Sequence, residues 1–166
     1  MPSTNSIYIF RHIQTQQVLI SLRQSMKSRV LNQLGTTVRP TNLRKDLWRP
    51  LVALTGFQTT QAAQAVTDAL LHHSKDLQLK QKMDKDHILQ PKRLRVVEEK
   101  NMVEKSIVAL RKALESVAAS RNETRLLALW EQPYFMELKG DKEWPSFLEH
   151  GQLELRNNRF VKGSKQ

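Results

Sequence analysis

The residues best suited to chemistry in this chain are cations placed around an aromatic ring in residues 39–50. The set comprises Arg39, Arg44, Lys45, Trp48 and Arg49. Arginine and lysine neutralise phosphates, and a Trp ring or an Arg plane can stack on an unpaired base. Trp48 has a second interpretation, which we favour, as a core anchor at the start of a strand, and Asp46 is expected to pair with a neighbouring Arg. The segment therefore predicts contact with nucleic acid.

The positive charge of the chain is concentrated near its N-terminus. The first 50 residues hold eight basic side chains and one acid, which gives +7 of the chain's net charge of +11. The remaining 116 residues are nearly balanced, with 19 basic and 15 acidic side chains. Such clustering is typical of a surface that binds a polyanion, although a solvated basic surface is the alternative. The predicted nucleic-acid-binding residues are Arg11, Arg23, Lys27, Arg29, Arg39, Arg44, Lys45, Trp48, Arg49, Lys80, Lys82, Lys92, Arg93, Arg95, Arg156, Arg159, Lys162 and Lys165.

Missing residue types and spacings argue against several classes of chemistry. The chain has no cysteine, which excludes disulfides, thiolate metal sites and a Cys nucleophile. Its five glycines form no phosphate-binding loop, and its five histidines lack the spacing of a metal-binding helix. No run of 18 apolar residues exists, so no membrane span is predicted. We therefore expect a protein that is not an enzyme and has no cofactor, no catalytic residues and no metal site.

One enzyme class is the least favoured alternative, a metal-dependent nuclease of GIY-YIG-like layout. In such enzymes a Tyr, an Arg and a metal-binding Glu surround the scissile phosphate. The candidates here are Tyr8, Arg23 or Arg29, and Glu98, Glu99 or Glu104. However, Ser6 stands where that motif has Gly, and residues 17–20 replace its Tyr-Ile-Gly strand. The resemblance to a nuclease is therefore loose.

The elements that must position these side chains are predicted from hydrophobic spacing. Residues 7–10 and 18–20 are short apolar runs around a polar link, which predicts a β-hairpin. Residues 47–57 predict a third strand, with Pro50 at an edge position or just before the strand begins. A helix is predicted over 25–34 because its apolar residues recur at helical spacing.

Two longer helices are predicted in the middle of the chain. Thr59 or Thr60 can cap the first of them. Its predicted buried stripe is Ala62, Val66, Ala69, Leu70, His73 and Leu77. The second carries Val103, Ile107, Leu110, Leu114 and Val117 on one face. Residues 80–96 are charged and contain Pro91, which predicts a basic arm or loop.

This order of elements predicts an α+β fold. We expect a small three-stranded sheet, the N-terminal hairpin plus the third strand, packed by helices, with further short elements near the C-terminus. Residues 1–155 are predicted to form a single α+β nucleic-acid-binding domain that includes the basic arm at 80–96. Residues 156–166 are predicted to form a basic C-terminal tail.

Two blocks of the chain resemble a known family. The first block reads Ile7-Tyr8-Ile9-Phe10-Arg11, Gln17-Val18-Leu19, Arg39-Pro40 and Leu43-Arg44-Lys45-Asp46-Leu47-Trp48. The second reads Leu129-Trp130-Glu131-Gln132-Pro133, with Lys142 and Trp144. Together they are similar to the fungal mitochondrial homologous recombination protein family, which is also a large-subunit protein of the fungal mitochondrial ribosome. Arg11, Arg44, Lys45 and Trp48 are the motif positions that the resemblance carries over.

The resemblance implies a structural constituent of the mitochondrial large ribosomal subunit. Its implied partners are large-subunit rRNA and neighbouring ribosomal proteins in the mitochondrial matrix, and most RNA contacts are expected with phosphate and sugar. It also implies an alternative role, the pairing of homologous mitochondrial DNA without nucleotide hydrolysis. Residues 21–31 have the Ser- and Arg-rich composition of a mitochondrial targeting helix, or they form a folded basic helix.

Overall fold

The computed structural model describes residues 6–23, 28–34, 39–118, 126–139, 142–153, 155–156 and 159–160. Five strands of this described part form one mixed sheet in the order β2-β1-β3-β4-β5. They are β1 Ile7–His12, β2 Val18–Ser21, β3 Trp48–Thr55, β4 Leu126–Trp130 and β5 Leu148–Gln152. Of the pairings among these five strands, only β4–β5 is parallel. A separate small pair follows, β6 Leu155–Arg156 with β7 Arg159–Phe160.

Helices cover one face of this sheet and make the fold α+β, as predicted. The α-helices of the described residues are α1 Thr60–Met83, α2 Lys85–Leu89, α3 Lys92–Lys100, α4 Val103–Ala113 and α5 Pro133–Met136. A π-helical turn, Leu114–Ala118, continues α4. Further 3-10 helices lie at Ser28–Gln33, Lys45–Leu47 and Glu137–Lys139.

The predicted hairpin is confirmed, and the side chain of His12 explains how it turns without Gly. β1 and β2 pair antiparallel from Tyr8↔Ser21 to Arg11↔Val18. His12 Nδ1 accepts hydrogen bonds from the backbone N–H groups of Gln14 and Thr15, at 3.1 and 3.2 Å. An imidazole nitrogen therefore satisfies backbone donors that a tight turn leaves unpaired.

The third strand is also confirmed, and of the two positions predicted for Pro50 the edge position holds locally, although β3 as a whole lies inside the sheet. β3 begins at Trp48, two residues before the proline, and it lies inside the sheet between β1 and β4. Proline is tolerated because the β3–β4 register begins only at Val52↔Trp130, so Pro50 has a strand on one side alone. The pairing with β1 also shifts there, between Ile9↔Val52 and Phe10↔Pro50.

The predicted three-stranded sheet is too small, because β4 and β5 extend it. β4 is apolar throughout, and it buries Leu126, Ala128 and Trp130 against the helices. β5 is mostly polar and exposed, with Leu148 as its buried anchor, so its sequence does not identify it as a strand. It pairs with β4 through backbone hydrogen bonds, and Gly151 permits the close approach: a Cβ there would lie 3.0 Å from Leu129 Cδ2.

The two faces of the sheet carry separate cores. On the first face, alternate strand residues such as Ile9 and Leu54 pack against Val66 of α1 and Leu110 of α4. Thr59 caps α1, since its side chain accepts from Ala62 N–H at 3.0 Å, as predicted. On the second face, the cluster comprises Tyr8, Phe10, Leu19, Leu31, Leu34, Trp48, Ala53 and Leu153. Every strand of the hairpin is therefore buried on both sides.

Two predictions of local structure are corrected. Residues 80–96 are helical, because α1 continues to Met83 and is followed by α2 and α3. Pro91 stands just before α3, where a missing N–H costs nothing, so it separates helices without making a loop. In the segment predicted as a helix over 25–34, Ser28–Gln33 form a 3-10 helix, and residues 24–27 lie outside the described part.

Candidate nucleic-acid interface

The structure divides the predicted basic residues into those with a partner inside the protein and those without one among the described residues. Arg11 of β1 and Arg49 of β3 are paired directly opposite each other. Without a carboxylate between them, two cations in these positions would repel each other. Glu131, which follows β4, lies between them. Arg11 Nη2 is 2.9 Å from Glu131 Oε1, and Arg49 Nε donates to Glu131 Oε2. The two family blocks therefore meet in space at one carboxylate.

This Arg–Glu–Arg group is largely buried and acts within the fold. The side chains of Arg11 and Glu131 are 12% and 3% exposed, whereas that of Arg49 is 33% exposed. The Arg11 guanidinium also lies 5.1 Å above the centre of the Phe135 ring, a cation–π contact. Arg11 therefore joins α5 to the sheet and is not free to bind a phosphate.

Arg39 and Arg44 also have partners. Arg39 donates from Nε and Nη2 to the carbonyl of Leu34, at 3.2 and 2.8 Å, and so closes the 3-10 helix. Arg44 pairs with Asp46 at 2.8 Å, which confirms the pairing predicted for that acid. Arg44 and Asp46 are both exposed, so solvent screens their attraction and the ion pair holds Arg44 only weakly.

Trp48 lies in the core and not at the surface. The residue is 3% exposed, and its ring meets the His12 ring edge to face at a centroid distance of 5.0 Å. Because the ring is enclosed by the second core, it is not available to stack on a base. The structure therefore supports the core-anchor interpretation and removes Trp48 from the candidate RNA contacts.

Arg23 and Arg29 differ from the other described N-terminal arginines. Both are exposed, and both line a cavity of about 220 Å³. The remaining lining residues are Ile20, Ser21, Leu22, Val30 and Thr67. No acidic side chain of the described residues lines it or pairs with either guanidinium. The cavity is smaller than the roughly 300–1,000 Å³ of drug-sized sites, which suits a compact anion such as a phosphate.

The local fold explains why these two arginines come together. The Gln33 side chain accepts from Ile20 N–H at 2.9 Å and donates to Ile20 C=O at 2.6 Å. It thereby completes the hydrogen bonding of the free edge of β2, as a neighbouring strand would. This contact holds the 3-10 helix that carries Arg29 against the end of β2, where Arg23 lies.

The remaining predicted cations fall into two groups. Lys80 and Lys82 at the end of α1, and Lys92 and Arg93 at the start of α3, are exposed, while Arg95 donates to the carbonyl of Ile88 at 3.3 Å. The others lack a described side chain or lie outside the described residues altogether; they are Lys27, Lys45, Arg156, Arg159, Lys162 and Lys165.

Sequence reasoning missed two buried charged residues. In the sequence analysis Glu131 appears only as part of a family block. Its position directly after an apolar strand is nevertheless a signal that the carboxylate is buried and needs a partner. Arg111 of α4 is also buried; it donates to the Lys139 carbonyl at 3.1 Å and to Glu115 at 2.7 Å. The position of Arg111 among the apolar residues of α4 is the signal that this side chain is buried and needs a partner.

Two residues of the nuclease alternative, Tyr8 and Glu99, lie in different parts of the fold. Tyr8 is buried in the second core, and Glu99 of α3 lies 3.6 Å from His87 of α2. In the part of the chain that the structure describes, no three His, Asp or Glu side chains are close enough to hold a metal ion. Within the same residues, no helix is both long and apolar enough to cross a membrane.

Protonation of His12 should destabilise the fold below about pH 6.5, the ordinary pKa of His. Burial and the nearby Lys100 cation lower the pKa of His12, and its Nδ1 must be unprotonated to accept the turn hydrogen bonds. The unfolded chain then binds more protons, so this stability is present above about pH 6.5 and lost as the pH falls through the folded pKa. Burial lowers the pKa of His73 and His150 in the same direction.

Urea unfolding between pH 7.5 and pH 5 measures this effect. His12→Gln keeps an acceptor for the turn but does not titrate, so its unfolding free energy should depend less on pH than that of the parent protein. An identical pH dependence in both proteins would show that His12 does not contribute.

Comparison with known proteins adds two findings. Residues 4–84 match the family model Mhr1, which is described as transcriptional regulation of mitochondrial recombination. The resemblance of the N-terminal block to this family is confirmed, whereas the second block, from Leu129 onward, lies outside the match. The matched segment holds β1, β2, β3 and α1, and with them both arginines of the cavity, whereas Glu131 lies outside it.

A relative of this chain is the large ribosomal subunit protein mL67 of Schizosaccharomyces pombe. The alignment runs over 78 positions at 40% identity, and it covers 42% of this chain and 44% of the relative. The chain therefore covers less than half of the length of that protein.

Proposed function

We propose that this protein is a structural constituent of the mitochondrial large ribosomal subunit and binds rRNA in the matrix. The observation that carries the ribosomal role is the 40% identity to a protein named as a large ribosomal subunit protein. The description of the Mhr1 family supports a mitochondrial location. In this role the chain is a scaffold that contributes shape and positive charge, and no step of chemistry is required of it.

RNA binding is supported by the cavity between Arg23 and Arg29. These two arginines line the same cavity and have no acidic partner among the described residues, and guanidinium donors bind phosphate oxygens. The aliphatic side chains of Ile20, Leu22 and Val30 line the same cavity and can contact a ribose. The contact reads backbone and shape, so sequence specificity comes from the RNA fold and not from base edges.

The paired arginines have a different role in this proposal. Arg11 and Arg49 maintain the domain through Glu131, and Arg39 holds the 3-10 helix. Arg44 is exposed and can leave Asp46 for a phosphate, so it is a secondary contact. The exposed cations of α1 and α3 do not line the cavity, so this contact does not need them.

The ribosomal role predicts that the full-length chain sediments with the large subunit through a high-salt sucrose gradient. High salt removes proteins held by diffuse charge, whereas an integral constituent stays with the particle. The measurement is immunodetection of the tagged chain across gradient fractions from mitochondrial lysate, after separation of the two subunits. A loosely bound basic protein added to the same lysate is the control, and recovery of the chain only in free fractions would contradict the proposal.

A second role, pairing of homologous mitochondrial DNA, is favoured by the description of the Mhr1 family. The cavity would bind a DNA phosphate as well as an RNA phosphate, because guanidinium groups pair with the phosphate oxygens of either polymer. The two roles are separated by competition. If the purified chain still pairs DNA strands in the presence of excess rRNA, the result supports recombination. If rRNA displaces the chain from DNA, the result supports the ribosomal role.

A further inference from the structure

The exposed apolar side chains of this protein are concentrated in one region. Of the eight large hydrophobic side chains that are exposed in the described residues, six lie within residues 79–97, which we call the helical arm. They are Leu79, Met83, Ile88, Leu89, Leu94 and Val97. Met83 and Leu89 are 79% and 82% exposed, which is high for two apolar side chains only six positions apart in the sequence. Clustered exposure of this kind marks an interaction site.

Internal contacts hold the three helices of the arm together. Asp84 ends α1 and caps α2, since its carboxylate accepts from Asp86 N–H at 3.0 Å. Between α2 and α3, Arg95 donates to the Ile88 carbonyl and buried His87 lies 3.6 Å from Glu99. The apolar side chains are therefore presented by ordered helices and do not belong to an unstructured loop.

The charge of the arm indicates which partner fits it. Residues 79–97 contain basic side chains in excess of acidic ones: Lys80, Lys82, Lys85, Lys92, Arg93 and Arg95 against Asp84 and Asp86. A second copy of the chain would bring two positive arms together, which is unfavourable. RNA offers bases and phosphates, but aliphatic side chains do not form the stacked contacts that aromatic rings make with bases. Carboxylates on a partner would complement the cations directly.

A lipid surface fits the arm less well than a protein does. Helices that insert at a membrane interface usually place Trp, Phe or Leu on their apolar side, and residues 79–97 contain Leu but no Trp or Phe to anchor them at the interface.

We propose that the helical arm is a docking surface for a partner protein that presents an acidic, amphipathic helix. The apolar side of that helix covers Met83, Leu89 and their neighbours, and its carboxylates pair with Lys80, Lys82 and Lys92. This is the helix-in-groove mode of recognition, in which spaced apolar anchors give affinity and the charged rim selects the partner. The arm and the Arg23–Arg29 cavity have no residue in common, so the docking does not depend on the proposed RNA contact.

The test uses the purified full-length chain and two labelled peptides of identical composition. One peptide, about 18 residues or five helical turns long, has Leu at helical spacing and Glu elsewhere, and the other has the same residues scrambled. Fluorescence anisotropy should show that the amphipathic peptide binds about tenfold more tightly, a difference that charge alone does not produce. Changing Met83 and Leu89 together to Ser should abolish that difference, whereas Ile13→Ser, an exposed apolar residue of the hairpin turn, should preserve it.

Three results would overturn the proposal. The first is equal binding of the two peptides, which would mean that the chain attracts any polyanion. The second is a preference that survives the Met83 and Leu89 changes. The third is flotation of the chain with vesicles of anionic lipid that these same two changes abolish, which would identify the arm as a membrane-binding surface. Circular dichroism of each variant verifies that the fold is retained.

Discussion

Replacing Glu131 with alanine should reduce the free energy of unfolding by about 3–5 kcal/mol, the usual cost of breaking a buried ion pair from one side. The change leaves Arg11 and Arg49 facing each other on adjacent strands without the carboxylate that separates them. Arg11 is mostly buried and held over Phe135, so it cannot turn to solvent without leaving that ring. The effect should therefore be large compared with that at any exposed ion pair.

Urea denaturation followed by circular dichroism measures this effect. The matched control is Asp46→Ala, which breaks the exposed Arg44–Asp46 pair and should change stability by only about 0–1 kcal/mol. Similar small decreases in stability for both variants would mean that Glu131 does not hold the sheet and α5 together. Removing Arg11 as well, in an Arg11→Met, Glu131→Leu double variant, should restore part of the stability, because no uncompensated charge then remains inside at that position.

Changing both Arg23 and Arg29 to alanine should weaken RNA binding by about 10- to 100-fold, because charge-assisted hydrogen bonds contribute about 1.5–3 kcal/mol. It should also flatten the dependence of log affinity on log salt by about 0.7 for each single-strand phosphate that is no longer neutralised, or about 1.4 for two. The physical reason is that each guanidinium that reaches a phosphate releases a counterion. Among the described N-terminal arginines, these two have no acidic or carbonyl partner for their guanidinium groups.

The measurement is filter binding of the full-length chain to a transcript of the mitochondrial large-subunit rRNA over a range of salt concentrations. Arg44→Ala is the matched control, since it removes one N-terminal arginine that already has a partner. Its salt slope should fall by less than half as much as in the double variant. An unchanged slope in the double variant would place the RNA interface away from the cavity.

The local elements can be predicted from the sequence because their signals are local. The hairpin follows from two short apolar runs, and α1 follows from its apolar stripe and from Thr59 at its start. β5 cannot be predicted in this way, because it is polar and is a strand only through its pairing with β4. The sequence predicts a loop for the arm because high charge and Pro91 are typical of loops, but charged residues also form helices and the proline lies between two of them.

The candidate site is predictable in composition but not in arrangement. The sequence identifies the N-terminal cations, and it favours residues 39–50 because four of them surround Trp48. Which cations are occupied depends on contacts between distant residues: Arg11 and Glu131 are 120 positions apart, and Arg49 and Glu131 are 82 apart. For Trp48, likewise, the sequence allows either a core anchor or a ring that stacks on a base, and only the packing around the ring decides between them. The cavity between Arg23 and Arg29 needs the contact of Gln33 with β2, which no local pattern indicates.

The central claim is that this chain docks on large-subunit rRNA through the Arg23–Arg29 cavity, and a density map of the assembled mitochondrial large subunit tests it most directly. The proposal predicts that the chain is present in the particle and that an rRNA phosphate lies in the cavity within hydrogen-bonding distance of both guanidinium groups. A map in which the chain is absent, or in which the cavity faces solvent or protein, would contradict the claim.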